Sequence, residues 1–379
     1  MTKSTSAGHG PPSGQDTSEA ALCGPFEYPI DSQNIENRSD SGRRSLFLRP
    51  NLSQQFGKSA FMTAKNPSAN VSTHLPLTIG VSTRAMFDLE EENAIFEREG
   101  VAAYVALQRA REKTPLKPGS AFEVVKRLLA LNPVEGKRLV DVIILSKNSP
   151  DLSLRAFNSF EHHGLPIKRG SFTSGRSVAP FVGAWGIDLF LSNSDEDVRA
   201  AVTAGTAAAR LGSAPRFSQQ IPSDEVSLAF DGDAVVFSAE SDRIYKEQGL
   251  EKFLEHETEN AQVPMERGPF GKSFLPKLAE LRKCFMRPNG TSRVRIAIVT
   301  ARNAPAHERV VLTLRAWGTP ADEAHFVGAH EKAPILEATG AHIFFDDQEI
   351  HVAGASSVVS AGLVPGPHDP AALVIPASQ

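Results

Sequence analysis

The chain has 379 residues, of which 41% are hydrophobic and 22% are charged, and its formal net charge is −4. This composition is typical of a globular protein and provides no bulk electrostatic attraction to a nucleic-acid polymer or a membrane surface. The two cysteines, Cys23 and Cys284, exclude a disulfide framework, and no apolar run approaches the ~20 residues of a membrane span. The first residues lack the apolar segment of a secretory signal, so we expect a cytoplasmic protein.

Residues 1–74 are rich in Ser, Gly, Pro, Asn and Gln, which predicts a disordered tail. From residue 75 onward, short apolar runs alternate with amphipathic segments. This alternation is typical of parallel β-α-β units and predicts an α/β fold. The predicted strands cover 77–82, 140–146, 187–192, 226–231, 294–300 and 341–346, and the predicted helices cover 90–110, 121–132, 151–163, 194–211, 240–257, 271–285, 305–317 and 331–339.

The second part of the chain repeats the first. Glycines and prolines recur at an offset of 149 positions, which becomes 154 further along: Gly100 falls on Gly249, Pro115 on Pro264, Gly119 on Gly268, Gly164 on Gly318, Pro180 on Pro334 and Gly186 on Gly340. A period of this length predicts a duplicated domain rather than a solenoid. We therefore expect a first lobe at 75–222 and a second lobe at 223–379.

The second lobe carries polar residues at the ends of its predicted strands and at the start of one helix: Asp231, Asp233, Thr300, Lys332, Asp346 and Asp347. In an open parallel sheet, ligands bind at the carboxyl ends of the strands, so we expect these side chains to share one crevice. Carboxylates buried together need a partner, and Mg²⁺ with a phosphate group suits them. The alternative for Asp231 and Asp233 is an ordinary turn.

This ordered set, which spans about 226–350, resembles the haloacid dehalogenase-like phosphohydrolases. Over most of 75–365 the sequence is also similar to the cytosolic 5′-nucleotidase I family, on the runs 87–92, 230–238, 344–348 and 351–355. The resemblance implies a Rossmann-like, mostly parallel sheet in a duplicated fold. The 68 residues between Asp231 and Thr300 leave room for a small helical cap.

The resemblance also implies roles for these residues. Asp231 would attack phosphorus to form an aspartyl-phosphate, and Asp233 would protonate the leaving oxygen and then activate water. Thr300 and Lys332 would hold the phosphoryl group. Asp346 would bind Mg²⁺ with Asp231 and the backbone carbonyl of Asp233, while Asp347 is a further ligand, a supporting group or only a helix N-cap.

At the matched positions the first lobe has Ser82, Arg84, Ser146, Val178, Ser192 and Asn193, so its carboxylates and lysine are missing. We therefore expect a non-catalytic lobe. Arg84, Asn148, Gly175 and Ser177 are its candidate binding residues, for the nucleoside part of the substrate or for an effector nucleotide. The alternative is a purely structural lobe. We also expect the first lobe to close the catalytic site in place of a large cap. In the second lobe, Arg302 is a further candidate: it either reaches the substrate or has a structural role.

The sequence thus predicts Mg²⁺-dependent hydrolysis of nucleoside 5′-monophosphates, with AMP favoured by the resemblance. Two alternatives stay open: a phosphatase of another small phosphomonoester, and a nucleotide-binding regulatory protein with little turnover. The base preference, the effector and a homo-oligomeric state are not fixed by the sequence.

Overall fold

The computed structural model describes residues 75–212 and 224–366. The predicted disordered tail and the boundary between 222 and 223 lie outside these residues. Within them, a mostly parallel sheet is flanked by helices, so the predicted α/β fold is confirmed. The helices of this part of the chain are all too short or too polar to cross a membrane.

The first lobe forms seven strands and six helices, with a short 3₁₀ turn at Pro150–Leu152. In chain order these are β1 (Leu77–Val81), α1 (Thr83–Met86), β2 (Phe87–Asp88), α2 (Glu90–Ala110), β3 (Lys117–Pro118), α3 (Phe122–Leu129), β4 (Val140–Ser146), α4 (Ser153–His162), β5 (Gly170–Phe172), α5 (Ala179–Ala184), β6 (Leu189–Ser192), α6 (Asp195–Thr203) and β7 (Ala207–Leu211).

The second lobe forms five strands and six helices, and a wide helical turn at Gly232–Val236 follows its first strand. In chain order these are β8 (Val226–Phe230), α7 (Glu240–Glu259), α8 (Pro269–Lys272), α9 (Phe274–Cys284), β9 (Val294–Thr300), α10 (His307–Ala316), β10 (Glu323–Phe326), α11 (Ala333–Thr339), β11 (Ile343–Asp346), α12 (Glu349–Ala355) and β12 (Ala361–Leu363).

Ten of the described strands form one sheet in the order β10-β9-β8-β11-β12-β7-β6-β1-β4-β5. Each lobe contributes five strands, and counting outward from the centre their order is equivalent: β12-β11-β8-β9-β10 in the second lobe and β7-β6-β1-β4-β5 in the first. Neighbouring strands are parallel within each lobe. Where the lobes meet, β12 and β7 are antiparallel, with Gly362 opposite Leu211.

This antiparallel seam sets the direction of each lobe. Because β7 and β12 run in opposite directions, the carboxyl ends of β1, β4 and β6 lie at one edge of the sheet, and those of β8, β9 and β11 lie at the other. The prediction that the first lobe closes the catalytic site is therefore wrong. A parallel pairing at the seam would have been needed to bring both sets of strand ends to one edge.

The backbone repeats along with the sequence. Gly100 and Gly249 both interrupt a long helix with a left-handed φ, 81° and 85° respectively. Gly186 and Gly340 end the helices before β6 and β11 with φ of 62° and 61°. These conformations favour glycine, because a Cβ atom is strained there. The matched glycines therefore mark the same turns in both lobes.

In each lobe, a long helix is inserted into a small antiparallel hairpin. In the first lobe, α2 lies between the paired strands β2 and β3. In the second lobe, α7 lies between Phe237 and Arg267, which form an antiparallel bridge. We call α7 the cap helix; it is the small helical cap that the sequence predicts.

One predicted element is wrong. The predicted helix 194–211 is in fact α6, which ends at Thr203, and the buried strand β7, which begins at Ala207. Gly205, with φ of 87°, separates them. The Ala-rich run is read as helix because alanine has the highest helix propensity, but burial at the seam places it in the sheet.

Candidate active site

Three adjacent strands of the second lobe end at the same sheet edge, and each delivers a polar residue there. Asp231 follows β8, Thr300 ends β9 and Asp346 ends β11. β8 lies between the other two strands. These strands are almost entirely buried, so their ends are fixed by the core. Asp231, Thr300 and Asp346 are themselves at most 4% exposed.

The turn after β8 is tightly packed against β9. A Cβ atom on Gly232 would lie 3.1 Å from Thr300 Oγ1, so glycine lets the strand-end hydroxyl approach the backbone directly after Asp231. Ala234 then has a left-handed φ of 60°. Such a conformation is uncommon for a residue with a side chain and is held by the surrounding structure. The turn therefore sets Asp231 and Asp233 in place.

A buried cluster of charges follows from this arrangement. Carboxylate oxygens of Asp231, Asp346 and Asp347 lie within 4.8 Å of one another. Lys332 Nζ donates to Asp231 Oδ1 and to Asp346 Oδ2, both at 2.7 Å. His351 Nδ1 lies 3.3 Å from Asp346 Oδ2. We call Asp231, Asp346 and Asp347 the acidic cluster.

The electrostatics of the acidic cluster reflect an excess of buried negative charge. Burial, opposed by Lys332, raises the pKa of Asp231 to about 7. Burial and the charge of Asp346 raise the pKa of Asp347 to about 6. Burial also acts against ionisation of Asp346, but His351 and Lys332 outweigh it, and its pKa is lowered. For Lys332, burial is outweighed by the charges of Asp231 and Asp346, which raise its pKa.

One ammonium group does not neutralise three carboxylates held this closely. Hard divalent cations take oxygen ligands of this kind, and a bound cation would offset the burial and the mutual repulsion that raise the pKa values of Asp231 and Asp347. The donor set of the acidic cluster therefore fits a divalent cation.

The structure also bears on the N-cap alternative for Asp347 and on the position of Lys332. Helix α12 begins at Glu349 and its N-cap is Gln348, so Asp347 is not the N-cap. The Gln348 N–H donates to Asp346 Oδ1 at 2.9 Å. Lys332 directly precedes α11, at the start of a helix as predicted, and is only 3% exposed.

Arg302 connects Asp233 to the cap helix. Its Nε and Nη2 donate to the two carboxylate oxygens of Asp233, both at 2.7 Å. Its Nη1 donates to Glu257 of the cap helix, and its guanidinium lies 5.5 Å from the centre of the Phe253 ring. Arg302 is 3% exposed and all three nitrogens are in use. It therefore faces Asp233 rather than an open substrate surface, which favours the structural of its two predicted roles.

Glu257 is a second partner of this network that the sequence analysis missed. Besides Arg302, it accepts from Arg309 Nη1 at 3.0 Å and from Ser241 Oγ at 2.6 Å, and it is 1% exposed. Its helix has many glutamates and no apolar face that marks this one as buried. The internal repeat offers one signal for this network: at the offset of 154, Arg309 falls on Arg155, so an arginine recurs at the same position of both lobes. In the structure both arginines are buried.

The candidate residues of the first lobe lie elsewhere. Arg84, Asn148 and Gly175 line a cavity of about 580 Å³ at the carboxyl ends of β1, β4 and β6. Ser177 is exposed outside that lining, and its Oγ accepts from the Ala179 N–H at 3.3 Å. This cavity is at the sheet edge opposite the acidic cluster. These residues therefore do not contact a substrate held by Asp231.

The fold and the site together define a parallel α/β protein with a buried acidic centre, a lysine and a hydroxyl at neighbouring strand ends, which is an arrangement suited to phosphoryl chemistry. The model of the 5′-nucleotidase family matches residues 69–370, and the chain belongs to that family. The predicted family relationship is thus confirmed.

Among curated proteins, the chain is similar to human cytosolic 5′-nucleotidase 1B. The two are 36% identical over 294 residues, which cover 75% of this chain and 48% of the human protein. The chain therefore spans about half the length of this curated relative.

Proposed function

We propose that the protein hydrolyses nucleoside 5′-monophosphates to a nucleoside and phosphate, with Asp231 as the nucleophile. The observation that carries this proposal is the buried Asp231 carboxylate, hydrogen-bonded to Lys332 and grouped with two further carboxylates at the strand ends. Membership of the 5′-nucleotidase family and the name of the human relative support the substrate class.

Asp231, Lys332 and Thr300 have separate roles in the proposed reaction. One oxygen of Asp231 is held by Lys332, which leaves the other oxygen to attack phosphorus and form an aspartyl-phosphate. Lys332 offsets the negative charge that develops on the phosphoryl oxygens, and the Thr300 hydroxyl donates to one of them. A divalent cation, proposed to be Mg²⁺, supplies further charge neutralisation when bound by Asp231, Asp346, Asp347 and the Asp233 carbonyl.

Asp233 carries the proton transfers. In its protonated form, with one of the two Arg302 hydrogen bonds released, Asp233 donates its carboxyl proton to the leaving ribose oxygen. The resulting carboxylate then takes a proton from the water that hydrolyses the aspartyl-phosphate. The bidentate contact with Arg302 fixes the plane of its carboxylate, which is the positioning that such transfer requires. Arg302 is therefore a positioning residue.

AMP is the proposed preferred substrate. A cytoplasmic location, in keeping with the name of the human cytosolic relative, is part of the same proposal. A phosphatase of sugar phosphates is the second candidate. A regulatory nucleotide-binding protein is less well supported, because binding alone does not require a carboxylate nucleophile beside a lysine and two further acids.

Phosphate release from AMP, GMP, CMP and ribose 5-phosphate, with and without a chelator, tests the proposal. We expect release from the nucleotides, loss of release on chelation and its return with Mg²⁺. Asp231→Asn should lower kcat by about 10³-fold or more, since the nucleophile is removed. Asp88→Asn, an exposed acid of the first lobe, serves as the matched control and should leave kcat unchanged. Equal release from ribose 5-phosphate contradicts the nucleotidase assignment, and release that survives chelation contradicts the metal dependence.

A further inference from the structure

The first lobe has a cavity at the position that corresponds, through the internal repeat, to the acidic cluster of the second lobe. Its volume is about 580 Å³, within the range of about 300–1,000 Å³ that is usual for small-molecule sites. Its floor is formed by polar residues at the strand ends and its side by apolar and aromatic residues of α2: the floor includes Ser82, Thr83, Ser146, Asn148, Ser192 and Asn193, and the side includes Phe96, Val101, Tyr104 and Val105.

The residues of the first lobe that correspond to the proposed catalytic site lack its carboxylates and its lysine. At the repeat offsets, Ser82 stands for Asp231, Arg84 for Asp233, Ser192 for Asp346 and Asn193 for Asp347; Ser146 stands for Thr300 and Asn148 for Arg302. Val178 stands for Lys332 and Gln108 for Glu257, but these two residues do not line the cavity. Neither the carboxylates that fit a cation nor the lysine that would hold a phosphate is present in this set.

The two cations that line the cavity are already paired. Arg84 donates through Nε and Nη2 to Glu90, at 2.9–3.0 Å. Lys147 Nζ lies 2.9 Å from both Glu196 and Asp197. Each of these two positive charges is thus paired with a neighbouring carboxylate, so neither is left to hold an anion in the cavity.

In the loop that holds the candidate residue Gly175, the backbone donors of 173–175 are already in use. The N–H groups of Thr173, Ser174 and Gly175 donate to the carbonyls of Ser146, Asn148 and Lys147 respectively, at 2.7–3.1 Å. An anion-binding nest needs several such N–H groups pointing at the ligand. The loop therefore closes the cavity without providing a phosphate site.

The floor still offers hydrogen bonds to a neutral ligand. The Ser82 and Ser192 hydroxyl oxygens accept backbone N–H groups, and each keeps its own proton to donate. The Asn193 Nδ2 group donates to Leu211 O, while its buried Oδ1 has no hydrogen-bond partner among the described residues. A buried acceptor of this kind is costly unless a ligand or water satisfies it.

We propose that this cavity is a second ligand site and that its ligand is an uncharged nucleoside. The hydroxyls and amides of the floor suit a ribose, and Phe96 and Tyr104, whose rings are 5.9 Å apart, give the planar base an aromatic surface. The choice of a nucleoside among neutral ligands rests on the proposed function, because the cavity corresponds to a nucleotide site that lacks its phosphate-binding groups.

Calorimetric titration of the full-length Asp231→Asn variant tests this site without turnover. We expect adenosine, or one of guanosine, cytidine and uridine, to bind without Mg²⁺ and with a dissociation constant below about 1 mM. Val105→Trp fills the cavity and Asn148→Leu removes a polar floor group, so each should weaken binding at least about tenfold. Ala106→Trp, an exposed neighbour on the same helix, is the matched control and should bind like the parent.

The two cavity variants should keep the melting temperature and, with Asp231 restored, the nucleotide hydrolysis of the wild type. No binding of any of the four nucleosides overturns the proposal, as does binding that neither cavity variant weakens. Adenosine 5′-monophosphate that binds more tightly than adenosine in a Val105-dependent manner also overturns it, since an anion site would then be present. Absence of phosphate release by the wild type instead contradicts the proposed function, so the two failures are distinct.

Discussion

Arg302 is the residue through which the cap helix reaches the proposed proton donor. Its guanidinium holds both oxygens of Asp233 and one oxygen of Glu257, while Arg309 holds the other oxygen of Glu257 without an ion pair to Asp233. Because a bidentate pair fixes the orientation of a carboxylate as well as its distance, we expect Arg302 to set the geometry of the proposed proton transfer. Arg309 shares the network but lacks this contact.

This difference predicts which reactions depend on Arg302. Arg302→Gln should slow release of the nucleoside in the first turnover by about 10²-fold, because an alkoxide leaves poorly without a proton. First-turnover release of p-nitrophenol from p-nitrophenyl phosphate should fall far less, because that group leaves as a stable anion. Rapid-mixing measurements on both substrates give the comparison.

Two further variants of this network separate positioning from structural support. Arg302→Lys retains the charge but not the bidentate geometry, and we expect an intermediate rate with the nucleotide. Arg309→Gln removes a partner of Glu257 and should leave the first turnover close to that of the wild type. If Arg309→Gln slows the nucleotide reaction as much as Arg302→Gln does, or if both substrates are slowed equally, the positioning role is wrong.

His342 is a buried titratable residue of the second lobe that affects the pH dependence of stability. Its Nδ1 accepts the Ser227 N–H at 2.9 Å, its Nε2 has no partner among the described residues, and burial lowers its pKa from 6.5 to about 4. In the unfolded chain the ring takes a proton as the pH falls below about 6.5, whereas in the folded chain it stays neutral until about 4. Its contribution to stability is therefore complete above pH 6.5 and is lost on going down to pH 4.

Urea unfolding at pH 7.5 and pH 5.0 measures this loss. From the two pKa values, the His342 contribution to the free energy of unfolding should fall by about 2 kcal/mol between these pH values. His342→Gln should show a correspondingly smaller pH dependence than the wild type. The exposed His330→Gln is the matched control and should follow the wild type. An unchanged pH dependence in His342→Gln contradicts the assignment.

The sequence predicted the site better than its surroundings for a physical reason. Asp231, Thr300 and Asp346 end apolar strands, and strand ends of a parallel sheet meet at one edge, so their grouping follows from local pattern. The Glu257–Arg302 pair joins residues 45 positions apart on a helix and a loop, and no periodicity reports such a contact. The sheet edge that holds the strand ends of the first lobe is set by the antiparallel pairing of β7 with β12, which local sequence does not report.

At the scale of elements, β7 and β12 determine the arrangement of the lobes, and both are inconspicuous in the sequence. β12 has only three residues, and the Ala-rich β7 resembles the end of a helix. Their pairing is supported across the seam by Arg210, whose Nη2 donates to Glu349 of α12 at 2.6 Å. Strands of this length are defined by tertiary packing, which a local pattern does not contain.

The close packing at the seam predicts the effect of adding a side chain there. A Cβ atom on Gly362 would lie 2.9 Å from Ala209 Cβ and 3.0 Å from the Phe345 ring. Gly362→Val should therefore lower the free energy of unfolding by about 1–3 kcal/mol, measured by urea unfolding. Gly354→Ala in α12, where a Cβ meets nothing within 4 Å, is the control and should not destabilise. Wild-type stability in Gly362→Val contradicts the packed seam.

At the scale of the whole molecule, the lobes are joined by more than the seam. Lys277 of α9 lies 2.8 Å from Asp188 of the first lobe, and the Ser360 hydroxyl donates to the Ser120 carbonyl at 2.7 Å. Both contacts involve buried or nearly buried groups. We therefore expect the described part of the chain to unfold as one cooperative unit.

A core substitution in the first lobe tests this cooperativity through the second. Ile79 is fully buried in β1, and Ile79→Ala should lower the free energy of unfolding by about 2–5 kcal/mol. The loss of nucleotide hydrolysis on heating should shift to lower temperature together with the circular dichroism transition. Ile350→Ala, the same change at a side chain that is 75% exposed, should shift neither. Activity that outlasts the transition of Ile79→Ala contradicts a single unit.

The antiparallel seam also has a meaning in terms of symmetry. Two equivalent half-sheets that pair through antiparallel edge strands have the relationship of the subunits in an isologous dimer. In a homodimer, every substitution occurs in both sites. Within one chain each position is encoded separately, so Ser82 and Asp231 can occupy equivalent places. Covalent connection of the two halves is thus what allows one opening to keep its acids while the other, facing the opposite way, has serine and asparagine in their places.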